Sequence, residues 1–383
     1  MDASEILVPF HVTSHASLAD QGSLTYVLAL ETNDAQIAAA TSNFQVHAVT
    51  TENLRSMARF VGHTAAVREV HCSKQPTIIV SCSLDGSVKV WDTRQAALTS
   101  NIQDTTENDE IFSCSMSESE NSIATSMVEK VKVWDLRNPS SPFRVYTESF
   151  SEDATVTKVR FSAKDRLITG SEDGLVCILD TSIADEDDAL ISVINTEQPI
   201  RDLGFFGDAN EYVWTVTNIE TLALVDLGKE EMISTFDSVR ETLSEEPTKR
   251  SRSSDDSALD SLKRPRPQID YVLGCHYDAS SQRLFCLAGS SEGIVVIGHV
   301  NKREIQLCTT LKKGHTDIVR SFSWHAKRVG SEQMIVTGGE DGRLVVWSDA
   351  LDGATDEMEA MDVGADNQSK TSGSKTQRKR PLS

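Results

Sequence analysis

Two segments that lie far apart in this chain carry the same residue types at the same spacing. The first runs from Gly62 to Asp92 and the second from Gly314 to Asp349. Each begins with Gly-His, continues through short apolar runs, and has an Asp-Gly turn followed by a Trp six residues after the Asp. Such a recurrence indicates an internal repeat, and the period of a repeat constrains the fold more strongly than any other sequence feature.

Weaker copies of this segment fill the rest of the sequence. They are strand-like runs separated by Asp-Gly, Glu-Gly, Asn or Ser turns, with almost no helical periodicity. Seven units end near residues 49, 91, 134, 179, 225, 298 and 347, at intervals of 42–49 residues except one of 73. The long interval contains a low-complexity stretch, 244–268, whose composition is typical of a disordered insertion. Without those 25 residues the interval is 48, so seven similar units are expected.

The two complete segments resemble the repeats of the WD-repeat family, in which each repeat of about 40–45 residues forms one four-stranded blade of a β-propeller. The resemblance implies an all-β, seven-bladed WD-repeat propeller over residues 1–350. It also implies that an N-terminal strand, Ile6 to Val12, completes the last blade and leaves no long sheet edge exposed. Three stretches, 170–190, 271–278 and 314–347, resemble one group of proteins within the family more specifically.

The resemblance further implies a buried, hydrogen-bonded set of four side chains in each complete blade. The Gly-His histidine contacts the turn Asp, and a Ser or Thr of the second strand links the histidine to the indole N–H of the Trp. Because a buried Trp donor or carboxylate without a partner is costly, these residues are expected to be structural and not catalytic. The two sets are His63, Ser81, Asp85 and Trp91, and His315, Thr337, Asp341 and Trp347.

Charge and composition exclude several classes of function. Lys and Arg number 37 against 58 Asp and Glu, which gives a net charge of −21 at pH 7. Such a protein repels phosphate backbones, so we expect no direct nucleic-acid binding and favour a basic protein partner. The apolar runs are far shorter than the roughly 18 residues that span a bilayer, and the first residues do not resemble a secretory signal, so we expect no membrane association.

No residue pattern predicts catalysis, a metal or a cofactor. The seven cysteines are widely spaced without a CxxC pair, which argues against a disulfide framework or a zinc site and favours a reducing compartment. The nine histidines form no HExxH motif, and the sequence has no GxSxG motif or Walker loop. We therefore expect a non-enzymatic protein.

Acidic residues are predicted to gather on the top face of the propeller, the end that carries the connections between blades and the turns with the signature Asp. Carboxylates around a central opening would focus a negative field and attract a Lys- and Arg-rich protein segment. The alternative is that a chain of this charge places carboxylates in every exposed turn. The candidate partner-binding residues are Asp109, Glu110, Glu152, Asp153, Glu172, Glu292, Asp317 and Glu340.

Three arginines occupy equivalent positions on the innermost strands, namely Arg68, Arg201 and Arg320. They could form a small anion or carboxylate site beneath the acidic rim. The favoured alternative is that each pairs with a neighbouring acid, such as Glu69 or Asp202.

Two WDxR sequences suggest a different partner. Trp91 to Arg94 and Trp134 to Arg137 resemble the motif with which some WD proteins dock onto the damage-binding adaptor of cullin-RING ubiquitin ligases, through an Arg on the bottom face. Arg94 and Arg137 are therefore the docking candidates under an alternative function, that of a ligase substrate receptor. The leading hypothesis remains a scaffold, a monomeric subunit of a larger complex, that acts as an escort or assembly factor for a ribosomal or histone-like protein.

Basic clusters in the insertion and in the C-terminal segment predict nuclear import. Residues 351–383 are acidic, then Ser- and Thr-rich, then basic, and are expected to form a disordered tail. Within the insertion, two basic clusters separated by twelve residues have the spacing of a bipartite import signal, although a solvated charge run is the alternative. We expect importin as a partner and the nucleus as the location, with the cytoplasm as a second one. The signal residues are Lys249, Arg250, Lys263, Arg264, Arg266, Arg378, Lys379 and Arg380.

Overall fold

The structure, a computed structural model, describes residues 10–18, 24–104, 106–107, 109–162, 166–244, 267–326 and 333–349. These residues form seven four-stranded antiparallel sheets. Six sheets consist of four strands that are consecutive in the chain, and the seventh takes its fourth strand from the N-terminus. Each sheet is one blade, which confirms the predicted seven-bladed, all-β propeller and its closure by an N-terminal strand.

The blades are numbered in chain order. Blades 1 and 2 contain Val27–Thr32, Gln36–Thr41, Val46–Thr50 and Ser56–Phe60, then Val67–Cys72, Ile78–Ser83, Ser87–Asp92 and Ala97–Gln103. Blades 3 and 4 contain Ser113–Met116, Ser122–Ser126, Val131–Asp135 and Arg144–Tyr146, then Val156–Phe161, Arg166–Ser171, Leu175–Asp180 and Leu190–Asn195. Blades 5 and 6 contain Ile200–Phe206, Tyr212–Thr217, Leu222–Asp226 and Glu231–Phe236, then Tyr271–Asp278, Arg283–Gly289, Val295–Val300 and Ile305–Leu311. Blade 7 contains Val319–Ala326, Gln333–Gly339, Arg343–Ser348 and His11–Ser17, and two short helices in the connections are Glu186–Ala189 and Val239–Ser244.

The first strand of every blade lines a central channel, because the first strands of neighbouring blades contact one another around the whole ring. An apolar cluster fills the space between each pair of adjacent blades. Since antiparallel strands alternate in direction, the turn between the second and third strands lies at the same end as the connection to the next blade. This end is the top face, which includes residues 84–86 and 312–318, and the opposite end is the bottom face.

The closing strand differs in position from the prediction. The sequence placed it at residues 6–12, whereas the structure has His11–Ser17 paired with Arg343–Ser348, and residues 6–9 lie outside the described part. The strand is the outermost of its blade and none of its side chains is buried, so its sequence needs no apolar run. Phe10, from the predicted run, is instead buried with its ring edge-on to Trp324 at a centroid distance of 5.5 Å.

The helix Val239–Ser244 fills a gap that the repeat leaves in blade 6. Gly298 occupies the position at which complete blades carry Trp. Leu243 is fully buried, and its Cδ2 atom lies only 2.7 Å from the place where a Cβ atom on Gly298 would be. The linker between blades 5 and 6 therefore supplies the apolar side chain that the repeat lacks, in one cluster with Leu224 and Ile305.

Several sequence predictions fall outside the described residues. Of the predicted insertion 244–268, residues 245–266 are not described, and neither is the predicted tail 351–383. All residues of the predicted import signals lie in these two segments, so importin binding and nuclear location stay predictions. The described propeller belongs to the unit Met1–Ala350.

Candidate functional site

The signature side chains of blade 2 form a continuous hydrogen-bonded chain. Trp91 Nε1 donates to Ser81 Oγ at 2.8 Å, Ser81 Oγ lies 2.8 Å from His63 Nε2, and His63 Nδ1 lies 2.8 Å from Asp85 Oδ2. Burial raises the pKa of the Asp85 carboxyl, but the hydrogen bonds from His63 and Ser87 outweigh it and hold that pKa well below its usual value. Every buried polar atom of these four side chains has a hydrogen-bond partner, which is typical of a structural arrangement.

Blade 7 repeats the same arrangement with Thr337 in place of the serine. Trp347 Nε1 donates to Thr337 Oγ1 at 2.8 Å, Thr337 Oγ1 lies 2.8 Å from His315 Nε2, and His315 Nδ1 lies 3.0 Å from Asp341 Oδ1. The two sets stand at equivalent places on the top side of their blades. Both Trp side chains are buried between blades, so these residues hold the turns of the top face in position.

The incomplete blades keep parts of the set. In blade 3, Trp134 Nε1 donates to Thr125 Oγ1 at 3.1 Å although the histidine and the aspartate are absent. In blade 5, Val225 replaces the Trp, and the equivalent hydroxyl of Thr215 is buried without a hydrogen-bond partner among the described residues. Among the described residues, the Ser or Thr hydroxyl at this position of the second strand therefore has a hydrogen-bond partner only in blades that also carry the signature Trp or His.

The predicted acidic residues lie in turns and connections of the top face. They come from the connections before blades 3, 4 and 7 and from the turns between the second and third strands of blades 4, 6 and 7. Six of these side chains belong to exposed residues, namely Glu110, Glu152, Asp153, Glu172, Glu292 and Asp317.

Two of the predicted residues are held in ion pairs within the protein. Asp109 Oδ2 lies 3.0 Å from Lys130 Nζ, beside the buried Lys132, whose ammonium is also 2.7 Å from Asp104 Oδ2. Glu340 accepts hydrogen bonds from the guanidinium of Arg320, with Nε at 2.7 Å. These two carboxylates are therefore less available to a partner than the six exposed ones.

The three channel arginines differ in their partners. Arg201 Nη1 donates to Glu220 Oε1 at 2.9 Å and its Nη2 donates to the Val272 carbonyl of the next blade. Arg320 pairs with Glu340, a residue of the turn at the top of its own blade. Arg68 is exposed and has no ion pair among the described residues. Arg201 and Arg320 therefore pair with acids, as the favoured alternative expects, but not with Glu69 or Asp202, which have other partners.

Glu69 is the centre of a buried ionic network inside the channel. Its carboxylate lies 2.5 Å from Lys158 Nζ and 3.0 Å from Arg160 Nη2, and it accepts hydrogen bonds from Ser113 Oγ and the Cys114 N–H, both at 2.9 Å. Burial raises the pKa of the Glu69 carboxyl, but the positive charges of Arg160 and Lys158 outweigh it and keep that pKa well below its usual value.

The network extends to both sides of Glu69. Lys158 Nζ also lies 3.2 Å from Asp202 Oδ1, and His71 Nδ1 lies 2.7 Å from Glu31 Oε2. Burial lowers the pKa of His71, yet the charge of Glu31 and its hydrogen bond raise it to about 10, so the imidazole is protonated at neutral pH. We call Glu31, Glu69, His71, Lys158, Arg160 and Asp202 the channel network. Sequence reasoning missed it because its members lie on four different blades, and its local trace is limited to charged residues two apart, Glu69 with His71 and Lys158 with Arg160.

The structure also brings Glu69, Cys82 and Cys114 together, with one potential ligand atom of each within 4.8 Å of the others. The sequence had suggested no such cluster, since the residues are far apart in the chain. Burial raises the pKa of the Cys114 thiol well above its usual value, and both oxygens of Glu69 already bind cations or N–H and O–H donors. The group therefore fits a packed core better than a metal site, because a thiol must lose its proton to bind a metal.

Arg94 and Arg137 lie on the bottom face, in the same turn of adjacent blades. Arg94 Nη2 lies 3.0 Å from Asp92 Oδ2, and Arg137 Nη2 lies 2.7 Å from Asp135 Oδ2. Hydrogen bonds from Arg137 lower the pKa of the Asp135 carboxyl to about 2. Both arginine side chains are largely exposed, at 69% and 72%.

Comparison with known proteins agrees with this architecture. The family described as WD domain, G-beta repeat, matches residues 54–92, 141–180 and 306–348. Each match begins at the outermost strand of one blade and ends with the third strand of the next. The chain is also 30% identical to the WD repeat-containing protein 89 homolog of Dictyostelium discoideum over 326 residues, which are 84% of this chain and 82% of the relative.

The chain belongs to the WD repeat-containing protein 89 family. Similarity extends to the WD repeat-containing protein GTS1 of Arabidopsis thaliana, 32% identical over 300 residues that cover 75% of this chain and 71% of that protein. A protein named eukaryotic translation initiation factor 3 subunit I, from Caenorhabditis briggsae, is 26% identical over 316 residues, 76% of this chain and 83% of its own.

Membership of the WD repeat-containing protein 89 family defines the class of function. WD-repeat propellers are generally protein-interaction scaffolds, typically without enzymatic activity, and can be subunits of larger complexes. Among the helices that the structure describes, none combines the length and the apolar character that crossing a bilayer requires.

Proposed function

We propose that this protein is a scaffold whose top face binds a basic segment of a partner protein, as an escort or assembly factor for a ribosomal or histone-like protein would. The observation that carries the proposal is the exposure of six carboxylates in the turns and connections of one end of the ring. Carboxylates clustered around an opening attract cationic side chains over distances of about a Debye length, which increases association rates.

Both faces carry exposed charged residues of both signs. Exposed basic residues are found in the turns of the bottom face, such as Arg94, Arg137 and Arg303. On the top face, Lys130 is tied into the ion pair with Asp109 and Arg320 into the one with Glu340, while Lys312 and Lys313 are exposed in the connection before blade 7. Exposed carboxylates also lie on the bottom face, at Glu52, Glu118 and Glu230, so the proposal predicts that a basic segment binds more tightly at the top face than there.

Reversing exposed charges on the top face is expected to weaken binding of a basic peptide. We predict that Glu152→Lys, Glu172→Lys and Glu292→Lys together reduce the affinity for a labelled octa-arginine peptide roughly tenfold or more at low salt. The affinity of the unchanged protein should fall steeply as salt rises from about 50 to 300 mM. Fluorescence anisotropy measures both effects.

A matched variant distinguishes the effect of the top-face carboxylates on peptide affinity from the effect of net charge alone. Glu52, Glu118 and Glu230 are exposed residues in bottom-face turns, so changing all three to Lys alters the net charge equally. This variant should bind the peptide within about twofold of the unchanged protein at physiological salt. Equal losses in the two triple variants, or an affinity independent of salt, would contradict the proposal.

A second candidate function is that of a substrate receptor of a cullin-RING ubiquitin ligase. The observation in its favour is that adjacent blades 2 and 3 present the same exposed Arg, paired with its own Asp, in the same bottom-face turn. Two matched cations on one face provide a repeated contact for an adaptor.

Loss of adaptor binding is the expected result for this candidate. The double variant Arg94→Ala, Arg137→Ala should reduce co-purification of the damage-binding adaptor roughly tenfold, because exposed interface arginines are frequent hot spots. Arg303→Ala, an exposed arginine in the corresponding turn of blade 6, is the control and should leave the yield unchanged. Equal adaptor yields from the double variant and the unchanged protein would exclude this function.

A further inference from the structure

The central channel holds a cavity of about 210 Å³. It is lined by first-strand residues of blades 1, 2, 4, 5, 6 and 7. The volume is enough for a phosphate or carboxylate group together with several water molecules, each of which takes up about 30 Å³ in the liquid.

More basic than acidic side chains line this cavity, although the net charge of the whole protein is −21. Three carboxylates line it, and all three belong to the channel network. Five basic side chains line it, namely Arg68, His71, Lys158, Arg160 and Arg320.

One of these five cations has no ion-pair partner among the described residues. Glu31 pairs with His71, Glu69 binds Lys158 and Arg160, and Asp202 shares Lys158. Arg320 is neutralised from outside the cavity by Glu340. Among the described residues, five cations thus face four carboxylates, and Arg68 is the cation without an acidic partner.

A second polar group of the same wall also lacks a partner. Ser321 lines the cavity, and its hydroxyl oxygen is buried without a hydrogen bond to any described residue. A buried hydroxyl without a partner costs about 1–3 kcal/mol, and an entering acceptor would remove that cost. An oxyanion in the cavity could accept hydrogen bonds from Arg68 and, once the Ser321 hydroxyl turns toward the cavity, from Ser321 as well. Hydrogen bonds to an ionised acceptor are stronger than neutral ones.

We propose that this cavity is a binding site for a single small oxyanion, a phosphate or carboxylate group, held by Arg68 and Ser321. The acidic top face above it disfavours nucleic acids and other polyanions, so the site suits one isolated anionic group. That group is either a free ion or a side chain of a bound protein, such as phosphoserine. The site is separate from the proposed basic-segment surface, since neither Arg68 nor Ser321 belongs to that surface.

Titration of the full chain with inorganic phosphate tests the site. Calorimetry at constant ionic strength is expected to show binding of phosphate and none of chloride. Arg68→Gln should weaken phosphate binding at least tenfold and Ser321→Ala about threefold, whereas Arg303→Gln, which removes an exposed arginine of the bottom face, should change nothing. Glu340→Gln releases Arg320 and should strengthen phosphate binding, a gain that misfolding would not produce.

A short phosphoserine peptide distinguishes the two sources of the anion. Tighter binding of the peptide than of phosphate assigns the site to a partner's side chain, and equal or weaker binding assigns it to a free ion. Unchanged phosphate binding by Arg68→Gln, or equal losses in Arg68→Gln and Arg303→Gln, would overturn the proposal. Binding of octa-arginine should be retained in Arg68→Gln, so failure here is distinguishable from failure of the proposed function.

Discussion

Replacing Glu69 with Gln is expected to lower the free energy of unfolding by about 3–5 kcal/mol. The substitution keeps the shape of the side chain but removes its charge. Among the described residues, Lys158 then keeps its ion pair with Asp202 and Arg160 loses its ion pair. An uncompensated buried cation is far more costly than an uncompensated exposed one. Urea unfolding followed by tryptophan fluorescence measures the change.

The control is Glu340→Gln, which breaks the more exposed pair with Arg320 and should cost about 0–1 kcal/mol. The dependence on pH supplies a second check. The pKa of Glu69 is lower in the native state than its usual value of 4.5. The Glu69 carboxylate therefore contributes fully to the free energy of unfolding above about pH 4.5, and this contribution is lost as the pH falls below that value. The difference between Glu69→Gln and the unchanged protein should therefore shrink as the pH falls below about 4.5, and a constant difference would contradict the assignment.

Thr337→Val is expected to destabilise the propeller by about 2–4 kcal/mol. The hydroxyl of Thr337 is the only group that links Trp347 Nε1 to His315 Nε2 among the described residues, at 2.8 Å from each. Valine has nearly the same shape but no hydroxyl, so two buried polar atoms lose their partner at once. Chemical unfolding measures the loss, with near-ultraviolet circular dichroism as a check that the fold is retained.

The same substitution in blade 5 is expected to change the free energy of unfolding in the opposite direction. Thr215 occupies the equivalent position, but its hydroxyl is buried without a partner among the described residues because Val225 replaces the Trp. Thr215→Val removes an unsatisfied polar group and is expected to stabilise the protein by up to about 1 kcal/mol. Destabilisation of similar size at both positions would mean that the hydrogen-bonded set does not account for the effect.

The sequence predicts the architecture well because each complete blade carries its register in its own residues. The spacing from Asp85 to Trp91, repeated from Asp341 to Trp347, fixes the turn and the third strand of a blade together. The closing strand carries no such pattern. It is an outer strand with only one neighbour, Arg343–Ser348, and its polar side chains resemble those of a loop.

The channel network could not be predicted from the local pattern alone. Its partners lie on different blades, as Glu69 and Lys158 do, so their contact depends on closure of the ring. The first strands also contain irregular pairing, with register shifts between Val67 and Glu69 and between Val156 and Lys158. Such a bulge changes which side chains face inward, so simple alternation assigns the wrong residues to the channel.

The linker helix has a consequence for how this ring accommodates extra chain. Leu243 occupies the space beside Gly298 before residues 245–266 begin, so the seam between blades 5 and 6 is already sealed at that point. Ile269, which follows these residues, is also buried in that seam. Leu243 and Ile269 therefore anchor the two ends of this linker in the seam. Because the entropy of closing a loop grows slowly with its length, we expect a change of length between these anchors to cost little stability.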